Sequence, residues 1–119
     1  MAAEVVQTLS TQDIESKVLQ AAGPVVLDFH NANCRPCGVF EPRLLRVAME
    51  YRGRVPAYRV DVDRDPVVAR RFNVLSLPTV LVIMDGKEVD RLDGVITEPE
   101  LRNAFERAAG EAEKRPSSS

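Results

Sequence analysis

Residues 24–29 read PVVLDF, a run in which Val25, Val26, Leu27 and Phe29 leave Asp28 as the only polar side chain. A strand with one face in water alternates apolar and polar residues. One that is apolar throughout is covered on both faces, which happens chiefly when helices pack on either side of a sheet. That run therefore bounds the fold to the α/β class, and with 119 residues, 45% of them apolar, the chain suits one compact domain.

The remaining elements are predicted from local signals. Val5, Val6 and Leu9 suggest a short first strand, and Ser10 or Thr11 a cap for a helix burying Ile14, Val18 and Leu19 and stopping at Gly23. Phe40, Leu44, Val47, Ala48 and Tyr51 recur at helical spacing up to Gly53, with Pro42 expected to kink that helix. "VPAYRVDV" reads as a strand, and "DRDPVVARRF" as a helix entered through an Asp-rich turn with Pro66 near its first position. "TVLVIM" and "KEVDRL" are strands joined by Asp85-Gly86, a strong two-residue hairpin signal. Gly94 breaks the chain; Thr97 and Glu100 then form a capping box for a last helix through Leu101, Ala104, Phe105 and Ala108 to Gly110. The order β-α-β-α-β-α-β-β-α implies a mixed central β-sheet with helices on both faces. Residues 1–110 form the expected domain and 111–119 a flexible polar tail.

Charge and cysteine usage narrow the function. The net charge is -2 and the Arg residues are scattered among carboxylates, so nucleic acid is not an expected partner. No apolar stretch approaches the ~18–20 residues of a membrane span, and "MAAEVVQTLSTQD" shows no basic leader followed by an apolar run. The expectation is a cytoplasmic monomer. In that compartment two cysteines are too few for a disulfide scaffold, and a C-x-x-C is catalytic or metal-binding more often than structural.

The two cysteines, Cys34 and Cys37, sit where the apolar strand hands over to a helix. Unpaired N–H groups and the helix dipole at such a start favour negative charge, which lowers a thiol pKa. Pro36 suits a first helical turn because its missing N–H would have had no partner there. These features assign Cys34 as the attacking thiolate and Cys37 as the resolving thiol. Two purely structural cysteines remain a competing reading. A metal site would lack ligands, since the only histidine, His30, is too close along the strand to serve easily as a third.

From about Val5 to Gly110 the chain resembles the thioredoxin family. The resemblance rests on "LDF" before the C-R-P-C, Pro42 in the following helix, "VDVDRDP", "LPT" at 77–79, "DGK" at 85–87 and Gly94, all in family register. It implies the thioredoxin fold and a thiol–disulfide oxidoreductase acting on protein disulfides. No cofactor beyond the Cys34–Cys37 disulfide is implied, and a reductase or other dithiol would supply electrons. It also implies that Pro78 is a cis-proline beside the dithiol, with Leu77 offering backbone hydrogen bonds to an extended client. Asp28 would relay the proton of Cys37. Arg59, where the family often has Lys, would hold Asp28 more fully ionised because Arg stays charged. An ion pair with no catalytic part is the competing reading for Asp28 and Arg59.

The loop departs from the family's usual "WCGPC". Asn33 replaces the Trp, Arg35 the Gly and Gly38 a common Lys, and the chain has no tryptophan. Ser76 stands where Gly is usual and Asp93 where an apolar residue is usual. With Asn33, Val62, Leu77 and Gly94 these form the expected client surface, and its polarity points to a narrow client range. Arg35 beside Cys34 would stabilise the thiolate and make the pair more oxidising, unless it simply points into solvent. His30 matches a family aromatic that packs beside the active loop and can bond an acid at the register of Asp63; such a bond would bring a pH dependence near neutrality, and simple packing is the competing reading. A binding module with a slow or regulatory dithiol is the second reading, and a metal-handling dithiol the third.

Overall fold

The computed structural model describes residues 5–114. β1 (Val6–Thr8), α1 (Thr11–Ile14), β2 (Val25–His30), α2 (Arg35–Glu50), β3 (Ala57–Asp61), α3 (Pro66–Arg71), β4 (Thr79–Met84), β5 (Lys87–Asp93) and α4 (Glu98–Lys114) follow in the predicted order. Five strands form one mixed sheet in the spatial order β1-β3-β2-β4-β5. β2 is central, parallel to β3 and antiparallel to β4.

The sheet is covered on both sides, as PVVLDF requires. Side chains alternate along a strand. Val26, Val80 and Val82 therefore pack with Phe40, Leu44 and Val47 of α2 and Leu101 and Phe105 of α4. Val25, Leu27, Phe29, Leu81 and Ile83 pack on the opposite face with Ile14, Val68, Ala69 and Phe72. Burying each large aliphatic or aromatic side chain contributes about 1.5–3 kcal/mol.

Turn chemistry fixes the connections. Asp85 and Gly86 both take positive φ, 55° and 76°, as a two-residue hairpin whose twist matches its strands requires. The Thr97 hydroxyl accepts from the Glu100 backbone N–H, while the Glu100 carboxylate accepts from the Thr97 N–H and hydroxyl. That is the predicted capping box, closed in both directions.

Three expectations change. The first helix widens after Ile14 into a π-helical turn, Glu15–Leu19, and ends at Gln20 rather than Gly23. α4 does not stop at Gly110; it continues to Lys114, so residues 111–114 are helix rather than tail. A helix is its own partner for backbone groups, and one half-buried glycine near its end costs only about 1 kcal/mol. Residues 115–119, the rest of the expected tail, lie outside the described residues. The first strand is also shorter than its apolar residues suggested, with Leu9 buried just beyond it.

Candidate active site

Strand alternation decides where Asp28 goes. It shares a face of β2 with Val26 and His30, the face on which α2 packs, and its register partner on β3 is Arg59. His30 and Asp61 are the next partners in the same register. The polar ends of β2 and β3 therefore point under the start of α2, where the cysteines lie.

Cys34 is the N-cap of α2, with Arg35 and Pro36 as its first two helical residues. Its sulfur accepts a hydrogen bond from the backbone N–H of Cys37 at 3.1 Å, the place a serine or aspartate oxygen takes in an ordinary cap. The N–H of Cys34 donates to the Asn31 carbonyl at 3.4 Å, closing the loop before the helix. Cys34 and Cys37 form a disulfide with S–S 2.09 Å; Cys37 is buried and Cys34 partly exposed. Cys34 is thus the outer sulfur of the pair and Cys37 the inner one.

The Leu77-Pro78 bond is cis, and Pro78 is buried. The Thr79 hydroxyl donates to the Ser76 carbonyl at 2.6 Å, which ties the loop around that proline. Thr79 in turn pairs with Asp93, the last residue before Gly94, whose φ is +74°. Arg43 of α2 donates to the Ile96 carbonyl at 2.9 Å and anchors the far side of the Gly94 turn to the helix that carries the cysteines. Asn33, Ser76, Asp93 and Gly94 are exposed and Val62 and Leu77 half-buried. Two large aliphatics that the sequence reading did not select stand on the same loops: Leu75 is 94% exposed and Val95 86%. The expected polar rim is thus interrupted by apolar side chains.

Behind the disulfide lies a chamber of about 230 Å³ lined by Asp28, His30, Asn31, Cys34, Cys37, Glu41 and Arg59, among others. Burial pushes the Asp28 carboxyl up to about 7; Arg59 pulls it down and Glu41 adds to the rise. Arg59 acts in the expected direction, favouring the ionised Asp28, but burial outweighs it. The reason is distance: Arg59 Nε is 3.9 Å from Asp28 Oδ2, while its Nη2 is 2.8 Å from Glu41 Oε1. That closer contact is oblique, an ion pair rather than an aligned hydrogen bond, because Nη2 has no partner in hydrogen-bonding geometry among the described residues.

His30 also departs from expectation. Burial, then Arg59, lowers its pKa, with Asp61 and Glu41 opposing. The acid acting on it is its register partner Asp61 rather than Asp63, and its Nε2 is buried without a hydrogen-bond partner among the described residues. Among those residues no three His, Cys, Asp or Glu side chains are grouped to hold a metal ion, and no helix is long and apolar enough to cross a membrane.

Glu41 and Arg43 are the site residues missed from the sequence. Glu41 lies four residues after Cys37, so the i,i+4 rule places both on one face of α2, and that spacing was the available signal. Arg43 carried none, because its partner is a backbone carbonyl fifty-three residues away.

Residues 5–107 match the thioredoxin family model. Mitochondrial thioredoxin of Bos taurus is 34% identical over 98 residues, covering 82% of this chain and 59% of that protein. Chloroplastic thioredoxin M2 of Arabidopsis thaliana is 28% identical over 102 residues, 86% of this chain and 55% of that protein. Thioredoxin 1 of Synechococcus elongatus is 30% identical over 93 residues, 78% of this chain and 87% of that protein. The chain thus spans a little over half the length of the plant and bovine relatives. With a helix-capping dithiol, a buried acid behind it and a match over nearly all the described residues, the chain belongs to the thioredoxin family.

Proposed function

We propose that the protein is a thiol–disulfide oxidoreductase that reduces disulfides in a restricted set of client proteins. The observation that carries this reading is the Cys34–Cys37 pair at the start of α2, its inner sulfur sharing one chamber with Asp28. In the reduced protein the Cys34 thiolate attacks a client disulfide, forming a mixed disulfide and releasing one client thiolate. Cys37 loses its proton and attacks the Cys34 sulfur. The second client thiolate leaves, and the Cys34–Cys37 disulfide closes. Two electrons have then passed from the protein dithiol to the client. A reductase or another dithiol returns them, in a compartment that keeps thiols reduced, the cytosol on this reading.

Asp28 is the base for the second step. A carboxyl that titrates near 7 is ionised often enough to accept a proton and basic enough to hold it. The client strand lies against the Leu77-Pro78 turn, and restriction of the client range follows from Asn33, Ser76 and Asp93 at the rim.

The test is turnover of insulin disulfides with dithiothreitol as the electron source. Wild type should catalyse the reduction, Cys34→Ser should be inactive, and Cys37→Ser should accumulate a mixed disulfide that a second thiol releases. Absence of turnover by the wild type, together with no mixed disulfide in Cys37→Ser, sinks the reading.

A further inference from the structure

The three charged side chains behind the disulfide form a graded series. Asp28 is 7% exposed, Arg59 14% and Glu41 46%, so the series runs from the interior towards solvent. They come from three elements: β2 supplies Asp28 and His30, β3 supplies Arg59 and α2 supplies Cys37 and Glu41. On its other side Asp28 is paired in register with Val80 of β4, which carries no charge. Among the described residues, Arg59 is therefore within ion-pair distance of two carboxylates, Glu41 and Asp28, and it cannot serve both equally.

The distances say which one it serves. The guanidinium lies 2.8 Å from Glu41 and 3.9 Å from Asp28. Asp28 Oδ1 is buried with no hydrogen-bond partner among the described residues. An arginine committed to Asp28 would approach with two parallel N–H donors and satisfy both oxygens. Here the fork is drawn along the helix face to a carboxylate one turn beyond Cys37.

We propose that Glu41 is a positioning residue of the site: it holds the Arg59 guanidinium off Asp28 and so leaves the Asp28 carboxyl free to exchange a proton with Cys37. The proposal rests on the oxidoreductase reading only for its last clause. Its first clause concerns the resting protein. Without Glu41, Asp28 is the carboxylate that remains within ion-pair distance of Arg59 among the described residues, with only about an ångström to close before it is in hydrogen-bonding range. Asp28 would then be fixed as a carboxylate, a constant charge rather than a group that takes a proton and gives it up. The direct field of Glu41 on Asp28 acts in the same sense, because a nearby negative charge favours the neutral acid.

The experiment is a titration of the Asp28 side-chain carboxyl by carbon NMR in the oxidised protein, where neither cysteine titrates. Wild type is compared with Glu41→Gln, a change of charge at similar size on a partly exposed helical position. The expected result is a fall in the Asp28 midpoint of about one pH unit, the size of effect of a cation brought into contact. In an Arg59→Gln background the same Glu41 change should move the midpoint much less. An unmoved or raised midpoint in Glu41→Gln, or an equal shift in both backgrounds, overturns the proposal. The pH profile of mixed-disulfide resolution, measured on the same variants, separates the two claims. If it follows the carboxyl midpoint, both clauses hold. If the midpoint falls while the profile stays, Arg59 positioning stands but Asp28 is not the base, and the proposal's catalytic clause fails.

Discussion

Asp28 and Arg59 are register partners across β2 and β3, yet Asp28 Oδ2 stays 3.9 Å from Arg59 Nε. A buried carboxylate that lacks a close cation is costly to ionise, so the folded state holds its proton more tightly than the unfolded state does.

That difference makes stability depend on pH with a definite sign. The carboxyl titrates near 3.8 in the unfolded chain and near 7 in the folded one. Below about pH 4 both states keep the proton and Asp28 contributes no difference. Between 4 and 7 the unfolded state loses its proton first, and stability falls as pH rises; above 7 the loss is complete and constant. Asp28→Asn should abolish this fall and at pH 8 be more stable than wild type by up to about 4 kcal/mol. Urea unfolding at pH 5 and pH 8 checks it: a wild-type stability that rises between those values by this group's titration contradicts the burial argument.

Arg35 occupies the first helical position of α2, where the dipole is already positive, and no acidic residue stands in that first turn. A cation there works against the helix and for the Cys34 thiolate. Removing it weakens the thiolate and hence the reduced form. Arg35→Gly should make the pair more reducing, by roughly 10–20 mV for a solvent-screened charge. Equilibration against a dithiol buffer with thiol trapping reads the potential, and a value unchanged or more oxidising removes Arg35 from the account.

Much of this was legible in the sequence because the signals were local. PVVLDF carried its own burial, Asp85-Gly86 its own turn, Thr97 and Glu100 their own cap, and two cysteines at a strand-to-helix junction their own chemistry. What was not legible depended on competition between distant groups. Arg59 could be placed opposite Asp28 by register, but its preference for Glu41 is decided by where α2 lies over the sheet. The same holds for Arg43, whose partner is a carbonyl beyond β5. The π-helical turn after Ile14 has no signature that separates it from an α-helix, since both keep Val18 on the buried side.

Two glycines give opposite predictions for one substitution. Gly86 sits at φ +76°, and a Cβ there would meet the Leu19 carbonyl oxygen at 3.3 Å. Gly110 lies inside α4 with open space around it and no positive φ. Gly86→Ala should destabilise by about 1–2 kcal/mol, the cost of a left-handed conformation for an L-residue. Gly110→Ala should stabilise by about 0.5–1 kcal/mol by restricting the unfolded chain and favouring helix. Urea midpoints of the two variants check both signs, and a stabilised Gly86→Ala would mean that the hairpin turn is not the one described.

Leu75 and Val95 are the most exposed large aliphatics among the described residues, and they flank the Leu77-Pro78 turn and the Gly94 turn respectively. Neither position is isolated: Thr79 and Asp93, which pair across β4 and β5, bring the two turns side by side. Apolar side chains left in water lose exposure only when something covers them, and on the proposed function an extended client segment lying along Leu77 would do so. On the proposed function they would supply the apolar contact area that the rim otherwise lacks. Leu75→Ser and Val95→Ser should each lower kcat/KM for protein disulfides several-fold, leaving reduction of a small disulfide such as oxidised glutathione and the Cys34–Cys37 potential unchanged. The split matters more than the size. A variant that loses both substrates equally has disturbed the dithiol, while one that loses neither shows that clients approach by another surface.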